Sequence, residues 1–179
     1  MLRRIVLGTT ALALMVLIGC GGPPTEDINK AKAAKTAADG ANAAMYVKDQ
    51  YDAATASMTA GETAVKAKEW DKAKKAYMEA AKAFDAAAKA APAAQEAMKA
   101  DLTARLAKAE EGHATMGKDK AMMAKVKMMK KEGMVKECEA AVAAAKEALA
   151  KDDLMAAKEA LDKDDAIHAE LTAMMTAKK

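Results

Sequence analysis

Aromatic and other large side chains are scarce in this 179-residue chain, which has one Trp, one Phe and three Tyr. Hydrophobic residues make up 53% of the sequence, but most of that fraction is alanine, which buries little area. The composition therefore excludes a bulky core. We expect helices that approach closely along alanine-lined faces to replace it.

Cysteine is nearly absent, and motifs for catalysis are absent from the sequence. The only cysteines are Cys20, near the N-terminus, and Cys138, and no intramolecular disulfide is predicted. The sequence contains no HExxH motif, no paired cysteines and no glycine-rich phosphate loop, and no Ser or Cys nucleophile has a nearby partner. The pairs Asp152-Asp153 and Asp164-Asp165 are interpreted as helix-start and solvent-face charges rather than acid/base pairs. We predict no enzymatic activity and no cofactor.

The chain also lacks a strong net charge. The whole chain is formally +3. The part after residue 19 excludes Arg3 and Arg4, and its 27 basic and 26 acidic residues give +1. No nucleic-acid partner is therefore predicted. Residues 118–136 nevertheless carry +5 and residues 152–165 carry −4. The basic stretch is compatible with a membrane-surface helix, but the favoured interpretation is that the two stretches pack side by side or face water.

The N-terminus has the parts of a secretory signal peptide. Arg3-Arg4 precede an apolar run from Ile5 to Ile18, and the small residue Gly19 follows. The apolar run is shorter than the roughly 20 residues that span a bilayer. We therefore predict a signal peptide over residues 1–19 rather than a transmembrane anchor.

Leu17-Ile18-Gly19-Cys20 resembles the lipobox of bacterial lipoproteins. The resemblance implies diacylglyceryl transfer to the Cys20 thiol, cleavage between Gly19 and Cys20, and acylation of the new amino terminus. Two or more acyl chains give a stable membrane anchor. Gly21 stands where many inner-membrane lipoproteins have Asp, so the resemblance favours the outer membrane, with the domain in the periplasm. Residues 20–24 form the lipidated cysteine and its tether.

Composition predicts an all-α fold. Alanine is the most frequent residue after Gly19, followed by Lys, Glu, Asp and Met, and of these Ala, Lys, Glu and Met are strong helix formers. No alternating run of β-branched and aromatic residues suggests a strand. We expect an elongated set of antiparallel helical hairpins or a bundle.

Apolar residues recur at helical spacing in five stripes. Thr25, Glu26 and Asp27 are expected to cap and open the first helix, with a break near 46–50 left open. Pro92 is expected to end or kink the second. The predicted domains are an N-terminal helical hairpin over 25–91 and a C-terminal helical region with a second hairpin over 92–179. The stripes are Ala33, Ala37, Gly40, Ala44, Val47, Tyr51, Ala54, Met58, Gly61 and Val65; Ala73, Tyr77, Ala80, Phe84 and Ala87; Leu102, Leu106, Ala109, His113 and Met116; Val135, Cys138, Val142, Ala145 and Leu149; and Leu154, Ala157, Leu161, Asp164, His168, Leu171 and Met175.

An internal repeat appears when the chain is aligned with itself so that Trp70 matches Leu154. Each unit has a helix, a polar corner (66–69 or 151–153), a large residue and another helix. The corners resemble those of tetratricopeptide-type helical hairpins, which implies hairpins with that corner geometry. We expect Trp70 and Leu154 to be buried against the preceding helix, and Cys138 to be a buried hydrophobe.

Residues 25–91 resemble a family of uncharacterised proteobacterial lipoproteins with alanine-rich helices. The residues that carry this resemblance are Gly40-Ala41, Tyr46, Ala53-Ala54, Lys68-Glu69-Trp70 and Ala73. The resemblance implies an envelope location and helical architecture, and it implies no activity.

Methionine gives the one candidate metal site. Thioethers are soft ligands suited to Cu(I), and six candidate ligands lie close together in the sequence: His113, Met116, Met122, Met123, Met128 and Met129. Core filling is the favoured interpretation, with an adaptable partner-binding face and a soft-metal site as alternatives. His113 and His168 are interpreted as packed residues.

These observations predict an outer-membrane lipoprotein whose periplasmic domain is a structural or protein-interaction module. Its partners would be the membrane, through the lipid anchor, and an unknown envelope protein or peptidoglycan. One alternative is a periplasmic soft-metal or small-ligand binding protein that uses the Met-rich segment. Another is a peptidoglycan-tethering lipoprotein linked through Lys178-Lys179.

Overall fold

A computed structural model describes residues 22–176 of the chain. In that range the structure is all-α and contains no strand. Residues 1–21, which include the predicted signal peptide and Cys20, and residues 177–179, which include Lys178-Lys179, lie outside the described residues. The helices are α1 (Thr25–Gly40), α2 (Ala43–Tyr46), α3 (Lys48–Lys66), α4 (Trp70–Lys118), α5 (Lys120–Met128), α6 (Glu132–Ala150) and α7 (Leu154–Thr176).

Helix α4 contacts every other helix of the described chain. Its 49 residues correspond to a length of about 74 Å at 1.5 Å per residue. Pro92 lies inside it, so the helix does not end there. Proline removes one backbone hydrogen bond from a helix interior and disfavours it by about 3 kcal/mol. Packing against other helices on both sides of Pro92 offsets that cost.

The first core joins α1, α2 and α3 to the N-terminal half of α4. Every residue of the predicted stripe from Ala73 to Ala87 is buried, as expected. Tyr51 packs edge-to-face on Phe84, with ring centroids 5.4 Å apart. The buried members are Ala31, Ala34, Ala38, Ala43, Ala54, Ala64, Ala73, Tyr77, Ala80, Phe84, Ala87 and Ala91. All of them except Tyr77 and Phe84 are the small alanine side chains that the composition predicted.

The predicted face of the first helix is wrong. Ala31, Ala34 and Ala38 are buried, whereas Ala33 and Ala37 are exposed. Both sets have helical spacing, and alanine at every position gives no contrast from which to choose between them. Thr25 is the first helical residue and makes no capping hydrogen bond, but Glu26 and Asp27 do occupy the first turn.

The chain interrupts the first predicted stripe twice. Asn42 adopts a left-handed conformation with φ of 53°, which asparagine tolerates better than most residues. A second break falls at Val47, between α2 and α3. This second break lies within residues 46–50, where the sequence allows a break.

Two further cores lie along the C-terminal half of α4. The second joins α4 to α6 and α7, and the third adds α5; their stripe positions are buried or half-buried as predicted. The second contains Leu102, Leu106, Val142, Ala145, Ala148, Leu154, Ala157 and Leu161, and the third Met116, Val126, Val135, Cys138 and Leu171.

The corners after α3 and α6 have the same backbone geometry. Lys68 and Asp152, which correspond to each other in the internal repeat, both have positive φ, at 59° and 55°. In each corner the next N–H bonds back to an alanine carbonyl, Glu69 to Ala64 and Asp153 to Ala148, both at 2.9 Å. This is the bond pattern of a helix C-terminus closed by a left-handed residue, and it agrees with the repeat found in the sequence.

The large residues after the two corners differ in burial. Leu154 is only 2% exposed and belongs to the second core, as predicted. Trp70 is half-buried at the first position of α4 and lies outside the first core, so it is less buried than Leu154.

Candidate functional site

Three helices bring an imidazole, a thiol and a carboxylate together. His113 comes from α4, Cys138 from α6 and Asp164 from α7. One ligating atom of each residue lies within 4.8 Å of those of the other two. Since these residues are far apart in sequence, only the packing of α4 on the α6–α7 hairpin brings them together.

Asp164 is the buried charged residue of the described chain, with 3% of its surface exposed. Its Oδ1 lies 2.8 Å from Nε2 of His113, whose side chain is 13% exposed. The N–H of His113 therefore donates to the Asp164 carboxylate. The interpretation of Asp164 as a solvent-face charge is wrong, because its position on the apolar stripe of α7 faces the core.

Cys138 is completely buried, which confirms the prediction made from its stripe position. Burial, reinforced by the negative charge of Asp164, raises the pKa of its thiol to about 12. The thiol is therefore neutral at physiological pH and is a poor nucleophile. The expectation that no cysteine has a nearby partner is nevertheless wrong, since His113 and Asp164 both adjoin Cys138.

The second ring nitrogen of His113 has no hydrogen-bond partner in the described structure. Nδ1 is buried, and no polar group accepts from it or donates to it. A buried polar atom without a partner costs free energy. Nδ1 is therefore the ring nitrogen that remains available to a further partner.

An open cleft of about 670 Å³ lies beside this cluster. His113 and Asp164 line it, whereas Cys138 does not. His168 also lines it, with its ring centroid 6.1 Å from that of His113. The remaining lining residues are Arg105, Lys108, Ala109, Glu111, Gly112, Thr115, Met116, Asp119, Met122 and Asp165.

Ion pairs join α4 to α7 and to the corner that precedes α7. The Arg105 guanidinium donates to Asp162 at 2.9 Å and to Asp165 at 2.6 Å, which links α4 to α7. Lys99 pairs with Asp152 at 2.5 Å, between α4 and the corner that precedes α7. The acidic stretch therefore pairs with basic residues of α4, and no ion pair between it and residues 118–136 occurs in the described chain.

The six predicted soft ligands do not converge on one point. His113, Met116 and Met122 line the cleft, whereas Met123, Met128 and Met129 do not. Met123 packs half-buried on the third core, and Met128 is 72% exposed. Core filling, the favoured interpretation, describes Met116, which is 3% exposed, as well as Met122 and Met123.

Sequence reasoning missed the grouping of His113 with Cys138 and Asp164. Each was placed on an apolar stripe, and a charged Asp164 on such a stripe was the available signal. A carboxylate at a core position needs a partner. Which partner it finds depends on how the three helices pack, and the stripes alone do not specify that.

Comparison with known proteins gives no relative for this chain: no family model, no curated sequence and no solved structure matches it. Within residues 22–176, no helix has the length and apolar character needed to cross a membrane.

Proposed function

We propose that the chain is a lipoprotein of the bacterial outer membrane whose helical domain is a structural or protein-binding module in the periplasm. The observation that carries the proposal is Leu17-Ile18-Gly19-Cys20 at the end of an apolar run that begins after two arginines. A signal peptide that ends in such a tetrapeptide directs lipid attachment to the cysteine.

The short tether supports a module held close to its membrane. Helix α1 begins at Thr25, five residues after Cys20. Fully extended, five residues span at most about 18 Å. The first helix would therefore begin near the headgroups, and a partner would have to reach the module close to the bilayer.

Exposed methionines support protein binding as the role of the module. Four of them are large hydrophobic side chains on the surface: Met45 (50% exposed), Met78 (54%), Met128 (72%) and Met155 (44%). Methionine is flexible and polarizable, and it is common on surfaces that adapt to partners. Met78 lies on α4 among the charged residues Lys74, Lys75 and Lys82. These charged neighbours keep the surface around Met78 hydrated when no partner is bound.

The absence of catalysis is part of the proposal. The Cys138 thiol is buried and, with its pKa raised to about 12, is not ionised near neutral pH. The imidazole of His113 is engaged by Asp164. An activated nucleophile needs an accessible thiolate, and this arrangement does not supply one.

Site-specific photo-crosslinking in intact envelopes tests the module. A crosslinking residue at Met78 should give a discrete adduct, while the same residue at Ala97, another exposed position of α4, should not. Adducts of large and heterogeneous mass that become small after muramidase digestion would identify peptidoglycan as the partner. Release of the chain into the detergent-free soluble fraction, with equal crosslinking at both positions, would contradict the proposal.

A further inference from the structure

The cluster of His113, Cys138 and Asp164 combines the three ligand types that zinc accepts in proteins. Their donor atoms lie within 4.8 Å of one another. In a tetrahedral zinc site, bond lengths of roughly 2.0–2.3 Å place ligand atoms about 3.4 Å apart. Small side-chain rotations would bring the donor atoms from their present separations to those of a zinc site. We propose that these three residues form a Zn²⁺ site between α4, α6 and α7.

The internal repeat shows that the fold itself does not require these residues. In the register that aligns Trp70 with Leu154, Cys138 corresponds to Ala54 and Asp164 to Ala80. Both alanines are fully buried in the first core. The same hairpin architecture is thus built there with two methyl groups. In the second hairpin a thiol and a carboxylate occupy the equivalent positions and face a histidine from α4.

Charge balance favours a divalent cation. One thiolate, one carboxylate and a neutral imidazole carry two negative charges, so a bound Zn²⁺ makes the site neutral. Burying a neutral assembly avoids the cost of an uncompensated charge in the interior. The ion would also give Asp164 a permanent positive partner.

The mixed donor set selects zinc over the other common ions. Thiolates suit Zn²⁺ and Cu(I), and imidazole suits Zn²⁺, copper, iron and nickel. Carboxylates are hard ligands. Zn²⁺ accepts them, as do Mg²⁺ and Ca²⁺, whereas Cu(I) prefers soft ligands. Zn²⁺ is the ion that all three donors share.

The cleft supplies an entry path and a fourth position. His113 and Asp164 face the cleft of about 670 Å³, so an ion reaches them without unfolding of the helices. Three protein ligands leave one tetrahedral position for water or a small ligand. His168 lines the same cleft but does not belong to the three-residue cluster.

Binding is coupled to loss of a proton. The Cys138 S–H bond breaks as the sulfur–zinc bond forms, and the proton passes to solvent. The proton on Nε2 of His113, which otherwise lies between the ring and Asp164, moves to Nδ1, so that Nε2 and the carboxylate can both bind the ion. No electron is transferred, and no oxidant or reductant is needed. Affinity should accordingly rise with pH.

Titration of the full-length chain with Zn²⁺ alone tests the site, in a Cys20→Ser background so that Cys138 is the single thiol. Calorimetry and metal analysis after dialysis should give one equivalent. Co²⁺ in place of Zn²⁺ should produce a thiolate-to-cobalt absorption band. Cys138→Ser, His113→Gln and Asp164→Asn, which nearly preserve side-chain size, should each weaken Zn²⁺ binding at least tenfold, with the cobalt band absent in Cys138→Ser.

His168→Gln is the matched control, because this histidine lines the same cleft without belonging to the cluster. It should change Zn²⁺ affinity less than threefold. Circular dichroism of each variant checks that it is folded, and a Cys138→Ser variant that unfolds is replaced by Cys138→Ala. Absence of saturable binding by the parent would overturn the proposal. So would Zn²⁺ binding that survives Cys138→Ser and Cys138→Ala in folded protein.

Discussion

Gly61 faces the ring of Tyr77 where α3 packs on α4. A Cβ atom at position 61 would lie 2.9 Å from two ring carbons of Tyr77, closer than van der Waals contact. Overpacking of this kind costs about 1–3 kcal/mol, while alanine gains about 1 kcal/mol of helix propensity over glycine. Gly61→Ala should therefore leave the free energy of unfolding unchanged or lower it by up to about 2 kcal/mol, as measured by chemical denaturation.

Gly112→Ala is the control for that substitution. Gly112 lies inside α4, and nothing is within 4 Å of a Cβ atom placed there. Alanine should raise the free energy of unfolding by about 0.5–1 kcal/mol through helix propensity alone. Equal stabilisation by both substitutions would show that α3 does not approach Tyr77 as described.

Leu154 and Trp70 occupy equivalent corners but should contribute differently to stability. Leu154 is 2% exposed in the second core, and truncation of a buried Leu to Ala costs about 2–5 kcal/mol. Trp70 is half-buried and lies outside the first core. Thermal unfolding should show a larger decrease in Tm for Leu154→Ala than for Trp70→Ala. The opposite order would mean that Trp70 packs more deeply than described.

At the scale of the element, the corner after α3 offers a direct test of backbone geometry. Lys68 has φ of 59°, a conformation that favours glycine. Lys68→Gly should stabilise the domain by roughly 1 kcal/mol, because a Cβ atom is unfavourable in the left-handed region. The measurement is the midpoint of urea unfolding.

Lys68→Ala is the matched control for the corner, since it removes the same side chain but keeps the Cβ atom. It should leave the urea midpoint nearly unchanged. If glycine and alanine shift the midpoint by the same amount, the effect comes from the lysine side chain, and the left-handed corner is refuted.

The helices and most of their buried faces could be predicted from sequence. A buried face could be identified where large apolar side chains stand out from the alanines around them. The stripes of α4, α6 and α7 contain Leu, Val, Tyr or Phe, which mark one face against the alanine background. Helix α1 has Ala31, Ala33, Ala34, Ala37 and Ala38, which mark no face, and its predicted register was wrong. Continuation of α4 through Pro92 depends on contacts with other helices, which local sequence does not encode.

The candidate site belongs to the scale of the whole molecule, which is why only its separate parts could be predicted from sequence. His113, Cys138 and Asp164 were each assigned to a stripe, and their meeting depends on how α4 crosses the α6–α7 hairpin. The Met-rich segment was a candidate because its residues adjoin in sequence. Helical geometry then separates them, with Met122 facing the cleft and Met128 exposed.

The central claim, that the helical module is attached to a membrane through Cys20, is tested most directly by intact-mass spectrometry of the chain purified from bacterial envelopes. The parent should lack residues 1–19 and carry the added mass of two or three acyl chains on Cys20. Cys20→Ser should retain the full precursor mass with no acyl chain. A parent chain that keeps its precursor mass, or that is cleaved without any acyl addition, would contradict the account.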